Sequence, residues 1–352
     1  MSAIMNNYYK PLHAEFPMKK VIVLLGPTGV GKTAASLLLA QSLGTEIISA
    51  DSMQIYKQMD IGTAKPTREE RASVRHHMID IVEPWESYST GRYFEEVQPI
   101  ISALHKRNAI PLIVGGTGLY IKAMTRGIFH GPSANKELRA ELLRKEDEEP
   151  GSLYRQLQSV DPDAAAAITP ADVRRTVRAL EVCLAGGKTM SEMQAEHTER
   201  LPFEFIKIGL TRDRRELYEM IDRRVDVMIK LGLVDEVRKV LELIRAEAPK
   251  PAHQNFRASE LPAFRALSSM QAIGYKELIQ HLEGDLSLHD AVELIKKRSR
   301  NYAKRQFTWF RKEEGITWID ITDIQDARTL FERIRIPMEK GIPLPLMQGE
   351  GL

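Results

Sequence analysis

The run Gly26-Pro27-Thr28-Gly29-Val30-Gly31-Lys32-Thr33 concentrates the residue types that a phosphate group requires. Glycines at 26, 29 and 31 permit backbone torsions and close approach that a side chain would block, so successive N–H groups can surround phosphate oxygens. Lys32 supplies a point charge, and Thr33 a hydroxyl ligand for Mg²⁺. The ligand indicated is a diphosphate or triphosphate; the alternative is an ordinary glycine turn with a solvated Lys32. Asp51 is the second candidate, a carboxylate able to ligate metal indirectly or to take a proton from an incoming nucleophile. Its plainer role is a helix N-cap. Cations interleave with aromatics between Glu293 and Glu313, where Lys296, Lys297, Arg298, Arg300, Lys304, Arg305, Arg311 and Lys312 accompany Tyr302, Phe307, Trp309 and Phe310 without an acidic residue. That pattern suits phosphate contact and base stacking, and equally a helix with core aromatics and a solvated cationic face. Arg174 and Arg178 share one helix face and could hold RNA phosphates or pair with nearby acids. His76, His77 and Asp80 lack helical two-histidine spacing and a third ligand, so they are expected to be structural.

These groups must be placed by regular elements. Apolar Val21–Leu25 before the glycine run and Ala34–Ala40 after it predict a strand, a loop and a helix. Thr45–Ala50 reads as a strand delivering Asp51 at its C-terminal end, and Ile110–Val114 as another, ending in Gly115-Gly116-Thr117-Gly118. Short apolar strands alternating with helices predict a parallel sheet, and ligands in such sheets gather beyond the strand C-termini. The loop, Asp51 and Thr117 are therefore expected to meet at one cleft. Strand signal disappears from about Pro132 to Leu201, where helical text covers 135–149, 152–159 and 171–185; it returns at Phe205–Leu210, before long helices over 214–244 and 288–311 and a last strand at 315–319. The expected fold is α/β, a P-loop NTPase-like parallel sheet flanked by helices, with an inserted all-helical subdomain. Its expected boundaries are a flexible N-terminal extension at 1–17, a first core part at 18–131, the helical insertion at 132–202, core completion at 203–335 and a tail at 336–352. Residues 246–267, with Pro249, Pro251 and Pro262, are expected to form an irregular loop.

Composition narrows the classes. The 352 residues are 43% hydrophobic with a formal net charge of +2, so the balance alone names no polyanionic partner. No apolar run reaches the roughly twenty residues that span a bilayer, and Met1–Lys20 shows no secretory segment, so a cytoplasmic protein without membrane contact is expected. One cysteine, Cys183, excludes an internal disulfide and a cysteine-based zinc site. It lies in an apolar run that favours core packing.

Taken together, the glycine run, Ser49–Tyr56 (SADSMQIY), Met59–Pro66 (MDIGTAKP), Val114–Tyr120 (VGGTGLY), Gln271–Lys276 (QAIGYK) and Tyr302–Phe310 (YAKRQFTWF) resemble the tRNA dimethylallyltransferases, in order from about Met18 to Asp320. The bacterial form is expected, because the chain stops soon after this core without the zinc-finger extension of many eukaryotic members. What the resemblance implies is transfer of a dimethylallyl group from dimethylallyl diphosphate to N6 of the adenosine next to the anticodon in tRNAs reading codons that begin with U. The loop Gly26, Pro27, Thr28, Gly29, Val30, Gly31, Lys32, Thr33 would then hold a prenyl diphosphate rather than ATP, with Mg²⁺ on Thr33. Asp51 would accept the N6 proton, and Thr28 and Arg224, or its neighbour Arg223, would add diphosphate contacts. The anticodon stem-loop would meet Asp51, Ser52, Met53 and Gln54; Thr117; Arg139; Arg174, Arg175, Thr176, Val177 and Arg178; and Gln271, Ala272, Ile273, Gly274, Tyr275 and Lys276. The helical insertion would clamp the RNA, and the expected state is a monomer. The rival readings are a P-loop small-molecule or nucleotide kinase, which predicts an acid after the Ile110 strand, and a noncatalytic RNA-binding protein.

Overall fold

The computed structural model describes residues 19–129, 131–247, 267–324 and 326–339. The expected extension at 1–17, most of the loop at 246–267 and the tail beyond 339 lie outside the described residues. Eight strands are present among them: β1 (Lys19–Leu25), β2 (Ile47–Ala50), β3 (His76–His77), β4 (Leu112–Gly115), β5 (Ile128–Phe129), β6 (Thr198–Glu199), β7 (Phe203–Thr211) and β8 (Ile316–Asp320). Six form one sheet in the order β3-β2-β4-β1-β7-β8, and every pairing in it is parallel. Val21 to Leu25 are all essentially inaccessible, which explains why β1 reads as a continuous apolar run: helices cover both of its faces.

The helices α1 (Lys32–Leu43), α2 (Arg68–Ser73), α3 (Thr90–Lys106) and α4 (Gly118–Arg126) alternate with the first strands. On one face of the sheet, Leu39 of α1, Ile22 and Leu24 pack with Leu330 and Ile334 of the last helix, Ala327–Glu339. On the other, Tyr93, Phe94, Val97 and Ile101 of α3 pack with Val21, Val23 and Ile113. Because α1 leads from β1 to β2 across the intervening β4, the crevice between the ends of β1 and β4 is a topological switch point, where such sheets bind ligands.

Five helices, α5 (Lys136–Glu148), α6 (Ser152–Val160), α7 (Pro162–Ala167), α8 (Val173–Gly186) and α9 (Met190–His197), follow β5 and precede β6, so the antiparallel β5–β6 ribbon carries the chain out of the sheet layer and back. Leu142, Leu153, Leu157 and Leu180 give α5 to α8 a core of their own. Their starts are set locally by Asn135, Asp161 and Asp172, each accepting a backbone N–H of the first turn. The helical stretch expected over 214–244 is divided at Gly232, whose φ of +96° suits glycine, into α10 (Arg214–Lys230) and α11 (Leu233–Glu247). These two, with the helices Tyr275–Leu282 and Leu288–Phe310, close a further core beside residues 55–59.

Gly115 shows how tightly the sheet sets the two strand ends. A Cβ there would stand 2.2 Å from the Ala50 carbonyl oxygen on the neighbouring strand, and backbone cannot yield as a side-chain tip can. Gly115→Ala is expected to destabilise the protein by about 1–3 kcal/mol through strand displacement. A urea midpoint equal to that of the parent would contradict this packing.

Candidate active site

The loop after β1 is formed by its own sequence. Gly29 (φ +80°) lies against Ile221, whose Cγ1 a Cβ would meet at 2.8 Å, and Gly31 (φ +108°) begins α1. Lys32 folds back over the loop, its Nζ donating to the carbonyls of Gly26 (2.9 Å) and Pro27 (2.8 Å). Arg224 arrives from α10 and donates from Nη2 to the Thr28 hydroxyl at 2.6 Å, while its Nε is buried without a hydrogen-bond partner. Neither cation forms an ion pair with a carboxylate of the described residues. Burial pushes the Lys32 ammonium down to about 8, with Arg224 adding to the effect and the Asp51 charge opposing it. Burial likewise lowers Arg224, again against Asp51. Two half-buried cations on a glycine loop, both depressed by desolvation and without a counter-charge in contact among the described residues, make an anion cradle.

The depressed lysine gives this cradle a pH signature. An anion binds the charged ammonium, so affinity for a diphosphate is expected to fall as pH rises through about 8, with wild-type protein losing thermal stabilisation by inorganic diphosphate over that range. The sign follows from the folded value lying below the ordinary 10.5: charged Lys32 opposes folding below pH 8, and that penalty fades between about 8 and 10.5, so the ligand-free protein gains from this group as the complex loses. Diphosphate stabilisation unchanged from pH 7 to 9.5 would remove Lys32 from the cradle.

Asp51 stands at the end of β2, as expected, and the helix N-cap expected of it is a turn cap instead. Its Oδ1 accepts from the backbone N–H of Met53 (2.8 Å) and Gln54 (3.3 Å), capping a turn rather than a helix; Oδ2 takes no part in these bonds. Thr117 reaches the same point, its Oγ1 accepting from the Ser52 N–H at 3.0 Å. Asp51 borders two spaces. A cavity of about 310 Å³ is lined by polar Thr28, Asp51, Arg224, Ser299 and Arg305 and by Val225, Met228, Leu233, Ile295 and Tyr302. A cleft of about 50 Å³ on the other side is lined by Lys32, Thr33 and Ser49. β4 ends in Gly115-Gly116-Thr117, without the acid a kinase reading predicts.

Of the positions expected to meet RNA, Ser52, Met53 and Gln271 to Gly274 line the larger cavity, with Gly274 in a left-handed conformation (φ +102°). Gln54 is already engaged, its amide donating to the Thr63 and Ala64 carbonyls. Lys276 is exposed, beside Gln271. Tyr275 corrects the expectation: its ring is fully buried in the core next to α11, and its hydroxyl donates to Glu236, so no RNA can reach it. Thr176 and Val177 are corrected likewise, because the helical repeat turns both into the interior of the α5–α9 group while Arg174 and Arg175 stay exposed. Arg139 and Arg178 converge on the fully buried Glu181 carboxylate; burial works to raise that group, but the two guanidiniums hold it down at about 2. His77 contacts Glu46, and Asp80 pairs with Lys65 and Arg71, which is the structural role expected of them.

The cation-rich segment divides between its two readings. Phe310 is core, Phe307 packs edge-on to Trp318, and Arg298, Arg300 and Lys296 are paired with Glu277, Asp222 and Asp226, whereas Lys297, Lys304 and Arg305 are exposed. Sequence reasoning missed what the buried side of this helix does. Gln306 accepts from the Thr28 N–H (2.8 Å) and donates to the Gly116 carbonyl (2.8 Å), joining the glycine loop to the end of β4. Tyr302, its hydroxyl pushed up to about 12 by burial and by the Asp51 charge, walls the cavity. The signal was available: Ile295, Ser299, Tyr302 and Gln306 recur at helical spacing, and two of them are polar residues on a buried face.

Fold and site together define an α/β protein that presents an anion cradle at the C-terminal end of a parallel sheet, opening onto a cavity of mixed polar and apolar lining that shares a carboxylate with it. Residues 54–313 match the family model described as IPP transferase, and residues 19–87 that described as isopentenyl transferase. A tRNA dimethylallyltransferase of Thermodesulfovibrio yellowstonii is 54% identical over 316 residues, 90% of this chain and 96% of that protein. Another, from Bacillus subtilis, is 45% identical over 86% of this chain and 91% of its own. A eukaryotic dimethylallyltransferase solved acting on tRNA is similar with a TM-score of 0.75 at 31% identity, covering 94% of this chain and 81% of that one. The tRNA isopentenylpyrophosphate transferase of Bacillus halodurans gives a TM-score of 0.63 at 38% identity, over 91% and 96% of the two chains. The chain belongs to the IPP transferase family of tRNA dimethylallyltransferases.

Proposed function

We propose that this protein transfers a dimethylallyl group from dimethylallyl diphosphate to N6 of the adenosine 3′ to the anticodon in tRNAs reading codons that begin with U, releasing diphosphate. The observation that carries this reading is the pair of half-buried, desolvated cations, Lys32 and Arg224, lacking a contacting counter-ion among the described residues where the glycine loop opens onto a cavity with Val225, Met228, Leu233 and Ile295 in its walls. A diphosphate supplies the missing charge, and a five-carbon chain suits apolar walls. In this reading Gly26–Thr33 acts as a P-loop that cradles the leaving group, and Lys32, Arg224 and the loop amides stabilise the charge that grows as the C1–O bond breaks. N6 attacks C1, and its proton passes to Asp51. The exocyclic amine is a poor nucleophile because its lone pair is delocalised into the ring, so a positioned base counts most as the C–N bond forms.

Mg²⁺ fits the oxygen donors available. Thr33 lines the smaller cleft with Asp51, and among the described residues there is no cluster of three His, Cys, Asp or Glu, so the ion would be held by Thr33 and by diphosphate oxygens. It would add electrophilic stabilisation of the leaving group. For RNA, the helical stretch at 132–202 acts as a clamp in this proposal, offering exposed Arg174 and Arg175. The adenine leaves the anticodon-loop stack to reach the cavity. No helix of the described residues is long and apolar enough to cross a membrane. The proposal places the protein in the cytoplasm, acting as a monomer.

The test is incubation of purified protein with Mg²⁺, dimethylallyl diphosphate and unmodified tRNA carrying adenosine 3′ to an anticodon ending in A, followed by nucleoside mass spectrometry. A dimethylallyl mass gain on adenosine is expected. No gain, with ATP consumed instead, would put the kinase reading first, which the relatives above do not support.

A further inference from the structure

Glu236 lies on α11, outside the cradle and outside every motif that points to the reaction, yet it makes the densest set of hydrogen bonds by any carboxylate near the cavity. Its Oε2 accepts from the backbone N–H of Asp60 (2.9 Å) and Ile61 (2.7 Å), and its Oε1 from that of Gly62 (2.9 Å) and from the Tyr275 hydroxyl (2.5 Å). Three successive amides turned toward one point form a nest that favours an anion, and here the anion comes from the protein itself. The loop is pressed close: a Cβ on Gly62 would lie 2.5 Å from the Tyr275 ring and 2.9 Å from Leu233.

What this carboxylate joins matters more than the bonds themselves. Gly62, Thr63 and Ala64, which continue from the nest, wall the larger cavity, and the carbonyls of Thr63 and Ala64 hold the Gln54 amide. The Gln54 backbone N–H in turn donates to Asp51. Tyr275 in turn follows directly on Gln271–Gly274, which also line that cavity. Lys65 anchors the far end of the same loop, its Nζ donating to the Tyr56 carbonyl, Asp60 and Asp80. Glu236 thus clamps together two backbone segments that face the acceptor, and it touches neither Lys32, Thr28 nor Arg224.

We propose that Glu236 is a positioning residue for the nucleic-acid acceptor, setting the separation of the 62–64 and 271–274 walls and, through Gln54, the turn that orients Asp51. The assignment rests on the transfer reaction proposed above. Glu236→Gln keeps the size but turns one acceptor oxygen into a donor that confronts a backbone N–H or the tyrosine hydroxyl, so a wall must shift. Because misplacement on the order of 1 Å can lower rates about a hundredfold, E236Q is expected to raise KM for unmodified tRNA, and to weaken tRNA binding measured directly, by about tenfold or more. KM for dimethylallyl diphosphate is expected to stay at the wild-type value. Tyr275→Phe removes one bond and leaves the nest filled, so it is expected to stay close to wild type on both substrates. Glu236→Asp, which keeps the charge on a shorter stem, is expected to recover part of the loss and decides the matter if E236Q does not fold.

A lowered thermal midpoint with both KM values and the tRNA Kd unchanged would overturn the proposal, since Glu236 would then serve stability alone. Equal losses on both substrates would overturn it too, by making the effect a general collapse of the site. If the wild-type protein makes no product, the transfer reading fails separately, and tRNA Kd for wild type against E236Q still decides whether Glu236 shapes an RNA-binding wall.

Discussion

Asp51→Asn should lower kcat about 10²–10⁴-fold, the range expected on loss of a positioned general base. Asparagine is the informative substitution because Asp51 holds two jobs. Its Oδ1 caps the Met53–Gln54 turn, and an amide oxygen can still accept those two N–H bonds. What asparagine cannot do is take a proton. KM for tRNA is therefore expected to be retained in Asp51→Asn, whereas Asp51→Ala should lose turnover and raise KM together, since the turn that carries Ser52 and Met53 along the cavity wall loses its cap. Single-turnover formation of the modified nucleoside, measured at saturating substrates, separates the two. An asparagine variant with wild-type kcat would sink the general-base role.

Arg224→Ala should lower kcat/KM for dimethylallyl diphosphate about 10²–10³-fold, as removal of a donor aimed at developing charge does elsewhere. The side chain is half-buried, its only hydrogen-bond partner in the described residues is the Thr28 hydroxyl, and its buried Nε is unpaired, so an incoming diphosphate meets a guanidinium already largely desolvated and held in place. Arg224→Lys keeps the charge without the planar fork that can meet two oxygens at once, so it should recover only part of the loss. Thr28→Ala should act in the same direction and more weakly, by releasing Arg224 from its one anchor. The substrate affected is the discriminating readout, and inhibition by inorganic diphosphate is the simplest probe of it. An Arg224→Ala protein that binds diphosphate normally and tRNA poorly would move the arginine from the cradle to the RNA surface.

Some of this protein was legible without coordinates because its physics is local. Glycine placement before Lys32 and Thr33, an apolar run too continuous for a one-sided strand, and Asp51 at the end of a short β-branched segment are properties of neighbouring residues, and backbone torsion and strand burial act on neighbours. Parallel pairing and the meeting of the loop, Asp51 and Thr117 then followed from the rule that ligands collect beyond strand C-termini. The helical stretch between Lys136 and His197 was visible for the same reason: caps and a 3.6-residue repeat are written within each helix.

The remainder depends on which surfaces face one another, and residue type does not encode that. Within the Arg174–Arg178 run, the angle between adjacent helical positions decides that Thr176 and Val177 are core while Arg174 and Arg175 are exposed, and only the packing of α8 on its neighbours decides which side is inside. Tyr275 reads as part of an RNA-facing block, but α11 closes over it. Gln306 is 278 residues from the Thr28 amide it accepts from, and Glu236 is 176 residues from the first amide of the nest it fills; neither partner can be found by spacing, because the separation is bridged by the sheet and its helices. The sequence by itself determined the elements of this protein and the chemistry of its cradle through short-range torsion and burial preferences, while the tertiary structure alone decided which polar side chains are buried together and so hold that chemistry in register.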